Sequence, residues 1–507
     1  MNKRLPIDDF IKYVEGAEPF RSITFDDILI VPGFSNVVPR DVNLETRLTE
    51  RIPLHIPITS ADMDTVTEPR LAIEMANLGG IGFLWKHPDI ATQANWVKEV
   101  KYYLNGKIDK PITIMANQTL KEVKAKLAQF KNRFSSLVVL DDSRKVVGLV
   151  TGDKIQFAED SMLVREFMVK NPVTSDQDLG IKQAYELMKN RQIGKLILVN
   201  SSGELNGLYC FKDVKSIIEK ENSMQNRDER GQFRVGANVG IFNFETTCFE
   251  RAEKLLEAKC DVLLVGTAHG HSKNVIDTIK ELKKSFSRYQ FDIVAGNVAT
   301  YEGAKALFEA GADCVKVGIG PGAICDTRIV AGAGMPQITA VYHASRAARE
   351  IGKYIIGDGG IKHSGDLTKI IAAGADSAMM GSLLAGSEES AGESTTIDGK
   401  RCKTYRGMGS LGAMRDNQSS DRYKQGGISP EKLVPEGVEG AVPYKGPVSE
   451  IINQLVGGLK SGMGYAGAAN IAQLKEAKFT RPSESGKVES HPHSITITKE
   501  PPNYPLQ

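Results

Sequence analysis

Cys314-Val-Lys-Val317-Gly318-Ile-Gly-Pro-Gly-Ala-Ile-Cys325-Asp-Thr327-Arg328 reads as a buried strand that runs into a glycine-rich turn ending on a cysteine. Gly318, Gly320 and Gly322 allow a tight backbone, with amides and carbonyls turned inward. Such a turn can cradle a phosphate or an ion and hold a thiol beside it. The spacing alone leaves two readings of Cys325 open, a catalytic thiol or an inert small hydrophobe.

Working outward, the same punctuation recurs. Short apolar runs, each closed by a Gly-, Ser- or Asn-marked turn, stand at Ile56-Pro-Ile-Thr59, Ile81-Gly-Phe-Leu84, Arg234-Val-Gly-Ala237, Val262-Leu-Leu-Val265, Ile293-Val-Ala295, Cys314-Val-Lys-Val317, Tyr354-Ile-Ile356 and Ser377-Ala-Met-Met380. Helical patterns such as residues 300–310 and 367–373 lie between them. Eight strand–helix units predict an α/β protein with a closed (β/α)8 barrel. A doubly wound sheet is the alternative, because short apolar runs are ambiguous.

The second and third runs lie far apart, well beyond an ordinary crossover. The interval holds a repeat. Ser136-Leu-Val-Val-Leu-Asp-Asp-Ser-Arg-Lys-Val-Val-Gly148-Leu-Val-Thr-Gly-Asp153 is echoed by Lys195-Leu-Ile-Leu-Val-Asn-Ser-Ser-Gly-Glu-Leu-Asn-Gly207-Leu-Tyr-Cys-Phe-Lys-Asp213. Each copy reads helix, strand, polar turn, strand, helix, and two copies can bury each other's apolar faces. The expected organisation is a barrel from residues 1–108 and 223–480, an insertion at 109–222 and a tail at 481–507. Residues 407–427 are rich in glycine and serine and read as a mobile flap.

Composition narrows the class. Apolar residues make up 41% and charged residues 25%, which is ordinary for a globular chain. A net charge of +2 calls for neither nucleic acid nor membrane. None of the six cysteines, Cys210, Cys248, Cys260, Cys314, Cys325 and Cys402, forms a C-x-x-C pair, which suits a reducing compartment. Met-Asn-Lys-Arg-Leu-Pro leads into mixed polar sequence rather than an apolar signal core, and no run of eighteen apolar residues exists. The expectation is a soluble cytoplasmic protein.

Barrel enzymes carry their chemistry on the loops after each strand. Here those loops are Ser60-Ala-Asp-Met63, Gly266-Thr-Ala-His269, Gly296-Asn297, the Cys325 turn, Gly357-Asp-Gly-Gly360 and Gly381-Ser382. Gly359, Gly360, Gly381 and Ser382 offer amides and a hydroxyl to a phosphate. Asp358 can accept from a ribose diol, and Cys325 supplies a nucleophile.

Along nearly its whole length the chain resembles the inosine-5′-monophosphate dehydrogenase family. The carrying stretches include Met63-Asp-Thr-Val-Thr-Glu68, Thr267-Ala-His-Gly-His-Ser272, the Cys325 turn, Pro336-Gln-Ile-Thr339, Asp358-Gly-Gly-Ile361 and, most specific, Tyr405-Arg-Gly-Met-Gly-Ser-Leu411. The repeat resembles that family's paired cystathionine-β-synthase-type domains, which implies a purine nucleotide bound there. For the barrel the resemblance implies oxidation of IMP by NAD through a covalent adduct on Cys325, then hydrolysis.

Position by position, Ser60, Met63, Asp358, Gly359, Gly360, Gly381, Ser382, Tyr405, Gly407, Met408, Gly409 and Glu436 would hold IMP. Thr267, Ala268, His269, Asn297, Gly318 and Gly320 would meet NAD, and Gly320, Gly322 and Cys325 would give carbonyls to potassium. Arg422 and Tyr423 would close with the flap. Arg422, or the pair Thr327–Glu436, would activate water. A homotetramer, or an octamer of stacked tetramers, is implied. The rival readings are a GMP reductase, which lacks the Arg-Tyr flap, and a non-catalytic nucleotide-binding homologue.

Some positions depart from the family pattern. Gly266 stands where an aspartate usually contacts the nicotinamide ribose, Ala323 where a serine contacts phosphate, Trp85 where a histidine is usual and Asp62 where an alanine is usual. Val488-Glu-Ser-His491 replaces a Glu-Gly-Gly of the tail. In the repeat, Thr151 and Asp153 stand one residue closer than usual, and Cys210 replaces a threonine before Asp213. One lost charged hydrogen bond costs about 1.5–3 kcal/mol, so Gly266→Asp is expected to lower the KM for NAD roughly ten-fold.

Overall fold

The computed structural model describes residues 5–17, 22–103, 107–108, 111–127, 136–177, 179–219, 224–241, 247–416, 419–423, 425, 428–499, 501 and 503. The expected insertion limits 109 and 222, flap residues 417–418, 424 and 426–427, and tail residues 500, 502 and 504–507 lie outside them. The chain divides into two compact units. One comprises residues 1–101, 224–226 and 233–507, and the other residues 102–223 and 227–232.

The larger unit is a closed barrel of eight parallel strands, so the barrel reading holds and the doubly wound alternative falls. The strands are β1 (Ile58–Ser60), β2 (Ile81–Leu84), β3 (Val235–Asn238), β4 (Val262–Gly266), β5 (Asp292–Val298), β6 (Cys314–Val317), β7 (Tyr354–Asp358) and β8 (Ser377–Met380). Each pairs with the next, and β8 pairs back onto β1 through Met380↔Ser60. All eight overlap the apolar runs of the sequence, extended by one to three residues at some ends and starting later at Ile58 and Val235.

Alternation along each strand sorts the side chains. Leu263, Val265, Ile293, Ala295, Val315, Val317 and Ile355 face outward and pack with the helices. Val262, Leu264, Val294, Cys314, Ile356, Met379, Ile81 and Phe83 face inward and fill the barrel. Gly236 makes room there, since a Cβ on it would lie 2.4 Å from Phe83 Cδ1. Leu48, Ile52 and Leu54 plug the end that the strands enter. Thr49 Oγ1 and Arg51 Nη1 hold Asp292 on the same side, at 2.6 and 3.1 Å. The opposite mouth is left for the loops. Helix starts follow local chemistry: the helix Tyr301–Glu309 is capped by Thr300, whose hydroxyl accepts from the Gly303 amide.

The smaller unit holds two four-stranded sheets. In one, Ser136–Leu140 pairs antiparallel with Val146–Thr151, and in the other Lys195–Val199 pairs antiparallel with Leu205–Cys210. Alternation works here too. Leu137 and Val139 pack among the helix-side residues of their own copy. Val138 and Leu149 pack with Ile197, Leu208 and Cys210 of the other copy.

Candidate active site

At the loop-bearing mouth, the inward row of the barrel turns polar. Asn238 ends β3, Gly266 ends β4, Lys316 follows inward-facing Cys314 on β6, and Asp358 ends β7. Lys316 is fully buried and donates to Asp358 Oδ2 at 2.6 Å. Asn297 donates to the same oxygen and to the Gly318 carbonyl, both at 2.8 Å. The Gln337 amide bridges the carbonyls of Val317 and Asp358 at 2.9 and 3.0 Å. Asp358 is therefore oriented by side-chain donors before any ligand arrives.

The glycine-rich turn delivers the thiol. Gly318 and Gly320 take φ of 146 and 77°, conformations that favour glycine. The Cys325 amide closes the turn on the Gly322 carbonyl at 3.1 Å, and Cys325 Sγ lies 3.2 Å from Thr327 Oγ1. Residues 436–438 run antiparallel to this turn, with the Val438 amide donating to the Ile324 carbonyl at 3.0 Å. That pairing brings Glu436 into the cleft wall with Cys325 and Thr327. The strand Lys400–Arg406 brings in Tyr405, whose hydroxyl lies 3.9 Å from Met63 Sδ.

A short turn, Ser419–Tyr423, lies over this cleft. The Ala268 amide donates to the Arg422 carbonyl at 3.1 Å, and Ser419 Oγ donates to the Met408 carbonyl at 2.6 Å. Arg422 Nη1 donates to Asp62 Oδ2 at 2.7 Å, and Lys86 Nζ to Asp421 Oδ2 at 2.8 Å. Asp62 also accepts from Asn238 Nδ2 at 2.6 Å and faces Lys316 Nζ at 3.8 Å. Burial would raise the Asp62 carboxyl, but the Arg422 and Lys316 charges hold it below the usual carboxylate range. Burial would likewise lower the Arg422 guanidinium, and the Asp62 charge holds it above its ordinary value. Burial pushes the Tyr423 phenol up to about 12, so it remains a donor.

The cleft, counted together with the space open to solvent at its mouth, measures about 960 Å³ and gathers most residues singled out in the sequence. Met63, Thr267, Ala268, Asn297, Gly318, Gly320, Gly322, Asp358, Gly359, Gly360, Gly381, Ser382, Gly407 and Met408 line it, with Cys325, Thr327, Tyr405, Arg422, Tyr423 and Glu436. Ser60, His269 and Gly409 do not line it, and His269 is exposed. Ser60 Oγ accepts from Thr67 at 2.9 Å, His269 stands edge-on to His271, and Gly409 supports the Tyr423 ring. Trp85 packs beside His87 and Trp96 instead of facing the cleft.

Sequence reasoning assigned no role to Asp62, Lys316, Asn238 or Gln337. One signal was available: a lysine inside the apolar strand Cys314-Val-Lys-Val317 has to find a buried anion. The expectation for Gly266 needs correction. A Cβ there would lie 2.9 Å from Asn238 Nδ2 and 3.3 Å from Asp62 Oδ2. The space next to the glycine is already held by a carboxylate and its amide donor, so Gly266→Asp cannot simply restore a contact.

Comparison with known proteins bears on this site. A family model described as "IMP dehydrogenase / GMP reductase domain" matches residues 22–493. The chain is 49% identical over 487 residues to an inosine-5′-monophosphate dehydrogenase of Aquifex aeolicus, covering 95% of this chain and 97% of that one. It is 48% identical over 486 residues to the enzyme of the same name from Staphylococcus saprophyticus, covering 95% and 98%. Among solved structures, a cysteine-to-alanine variant of Trypanosoma brucei GMP reductase in complex with guanosine 5′-monophosphate superposes with a TM-score of 0.83. It is 39% identical, with 95% of this chain and all of that chain covered.

Proposed function

The chain belongs to the IMP dehydrogenase / GMP reductase family, and we propose that the mouth of its barrel runs the dehydrogenase reaction in two stages. The enzyme is an NAD-dependent oxidoreductase that converts IMP to XMP. Asp358 takes the ribose hydroxyls, and the amides of Gly360 and Gly381 with the Ser382 hydroxyl take the phosphate. The Cys325 thiolate attacks C2 of the purine, and the hydride at C2 passes to the nicotinamide of NAD. Once NADH leaves, the flap turn occupies the place on Thr267–Ala268, and water adds to C2 to release XMP and the thiol.

The observation that carries this reading is Arg422, seated in the cleft of Cys325 with its carbonyl on the Ala268 amide. A reductive deamination must exclude water and has no use for a polar flap at that place. Because Asp62 keeps Arg422 cationic, the base for water is the Thr327–Glu436 pair. Arg422 stabilises developing negative charge as a fixed cation.

A potassium ion would be held by the carbonyls of Gly320, Gly322 and Cys325, a hard oxygen set suited to it. Among the described residues the Gly322 carbonyl accepts one amide, that of Cys325, which leaves a lone pair for an ion. The smaller unit is read as a cystathionine-β-synthase-type pair that takes a purine nucleotide, supported by its two matching sheets. In its second copy Cys210, which stands where the threonine would be, accepts from Lys195 Nζ at 2.9 Å. No helix among the described residues is long and apolar enough to cross a membrane. The family resemblance supports reading the protein as a cytoplasmic homotetramer.

Purified protein mixed with IMP, NAD and potassium should raise NADH absorbance and yield XMP. Silence in that mixture, together with NADPH consumption and ammonia release on GMP, would move the protein to the reductase side.

A further inference from the structure

We propose that Asp62 seats the flap: its carboxylate, in the barrel wall behind the substrate cleft, draws Arg422 into place for the water step. The proposal rests on the two-stage reading above. Asp62 is a positioning residue, since it does not line the cleft and its side chain is only 1% exposed.

The local charge count carries the argument. Among the described residues three groups face the carboxylate: Asn238 at 2.6 Å, Arg422 at 2.7 Å and Lys316 at 3.8 Å. Lys316 is committed to Asp358 at 2.6 Å, so Arg422 is the cation that neutralises Asp62 at hydrogen-bond distance. A buried carboxylate without a close cation is costly, and so is a guanidinium brought in beside Lys316 without an anion. Each charge is tolerable in the wall only when the other is there. Docking the turn completes the pair, and leaving it open strands Asp62.

Two further features single out this pair. Gly266 carries no side chain, and the point where its Cβ would stand is 3.3 Å from Asp62 Oδ2. The loop after β4 therefore supplies no competing anion, and the carboxylate reaches the spot from the loop after β1. The other ion pair of the turn, Lys86–Asp421, is about a quarter exposed on each side chain and so is screened by water.

The test uses full-length enzyme with IMP, NAD and potassium in a rapid-mixing instrument. Asp62→Asn should keep an NADH burst near one per site. Its steady-state rate should fall roughly ten- to a hundred-fold, the worth of one charge-assisted hydrogen bond. The adduct on Cys325 should then accumulate, as seen by mass spectrometry. Combining Asp62→Asn with Arg422→Ala should be no slower than Arg422→Ala alone, because both act through one contact. Exchanging the carboxylate between the loops, Asp62→Ala with Gly266→Asp, should recover at least ten-fold over Asp62→Ala alone. Wild-type turnover in Asp62→Asn, loss of its burst, or additive losses in the double variant would each overturn the proposal. If Arg422→Ala itself loses the burst, the two-stage reading fails first. Should Asp62→Asn not fold, the exchange decides, and a folded exchange variant with a burst but a stalled second stage overturns the proposal.

Discussion

Lys316 Nζ donates to Asp358 Oδ2 at 2.6 Å, tying together the inward ends of two adjacent strands, β6 and β7, beneath the substrate cleft. On the proposed reading, this contact holds the Asp358 carboxylate for the ribose diol. Lys316→Met keeps most of the length of the side chain and removes its charge. Removing one member of a buried pair costs about 3–5 kcal/mol, so the urea midpoint should fall clearly. IMP affinity measured by calorimetry should drop at least ten-fold. Unchanged affinity would mean that Asn297 and Gln337 orient Asp358 by themselves.

Cys325 and Thr327 stand 3.2 Å apart on the turn, and their roles separate by substitution. Cys325→Ala should abolish NADH formation and leave IMP binding within a few-fold of wild type. Thr327→Val should instead keep the burst and slow the steady state. A Cys325→Ala protein that still turns over would remove the covalent step from this site.

Gly266→Asp places a second carboxylate against Asp62 and displaces the Asn238 amide that Asp62 uses. Repulsion between like charges and the lost hydrogen bond predict a higher KM for NAD and a slower second stage. A lower KM would show that the loop relaxes around the new side chain.

β2 and β3 pair directly, with Gly82 opposite Val235, although the whole smaller unit lies between them in sequence. The insertion therefore interrupts the chain between two neighbouring strands of the barrel, after the helix Ile90–Lys101. Replacing residues 109–222 by a short Gly/Ser linker should give a folded barrel that binds IMP and makes NADH. Circular dichroism and the burst assay read this directly, and an insoluble barrel with adequate linker length counts against it.

Acid should act on the flap contact in a defined window. The folded Asp62 carboxyl lies below its unfolded value, so its stabilisation is present above the usual carboxylate range. It is lost as pH falls through the lowered folded value. The difference in urea midpoint between wild type and Asp62→Asn should hold steady from about pH 7 to 5 and shrink below about pH 4. A difference already fading near neutrality would point to some other titrating group.

Local sequence was enough for the barrel strands. A parallel strand buried on both faces has to be a short apolar run, and its turn into a helix needs glycine or a capping residue, so Val262-Leu-Leu-Val265 and Cys314-Val-Lys-Val317 declare themselves. The thiol turn was legible for the same reason, since its glycines stand where the backbone has to bend sharply. The repeat at 136–153 and 195–213 was legible as pattern, because alternation marks two faces to bury.

The charge arrangement that runs beneath the cleft was not. Asp62 and Arg422 lie 360 positions apart, and neither local periodicity nor composition relates them. Lys316 reads as an anomaly in its strand until barrel closure decides which face its side chain takes and sets it between Asp62 and Asp358. Propensity and hydrophobic pattern act over a few residues, so the chain by itself determined where strands, turns and the Cys325 thiol lie. Coulomb forces between buried groups depend on distances that exist only once the eight strands have closed. Tertiary structure alone therefore decided which carboxylate meets which cation, and with it the setting of the flap arginine.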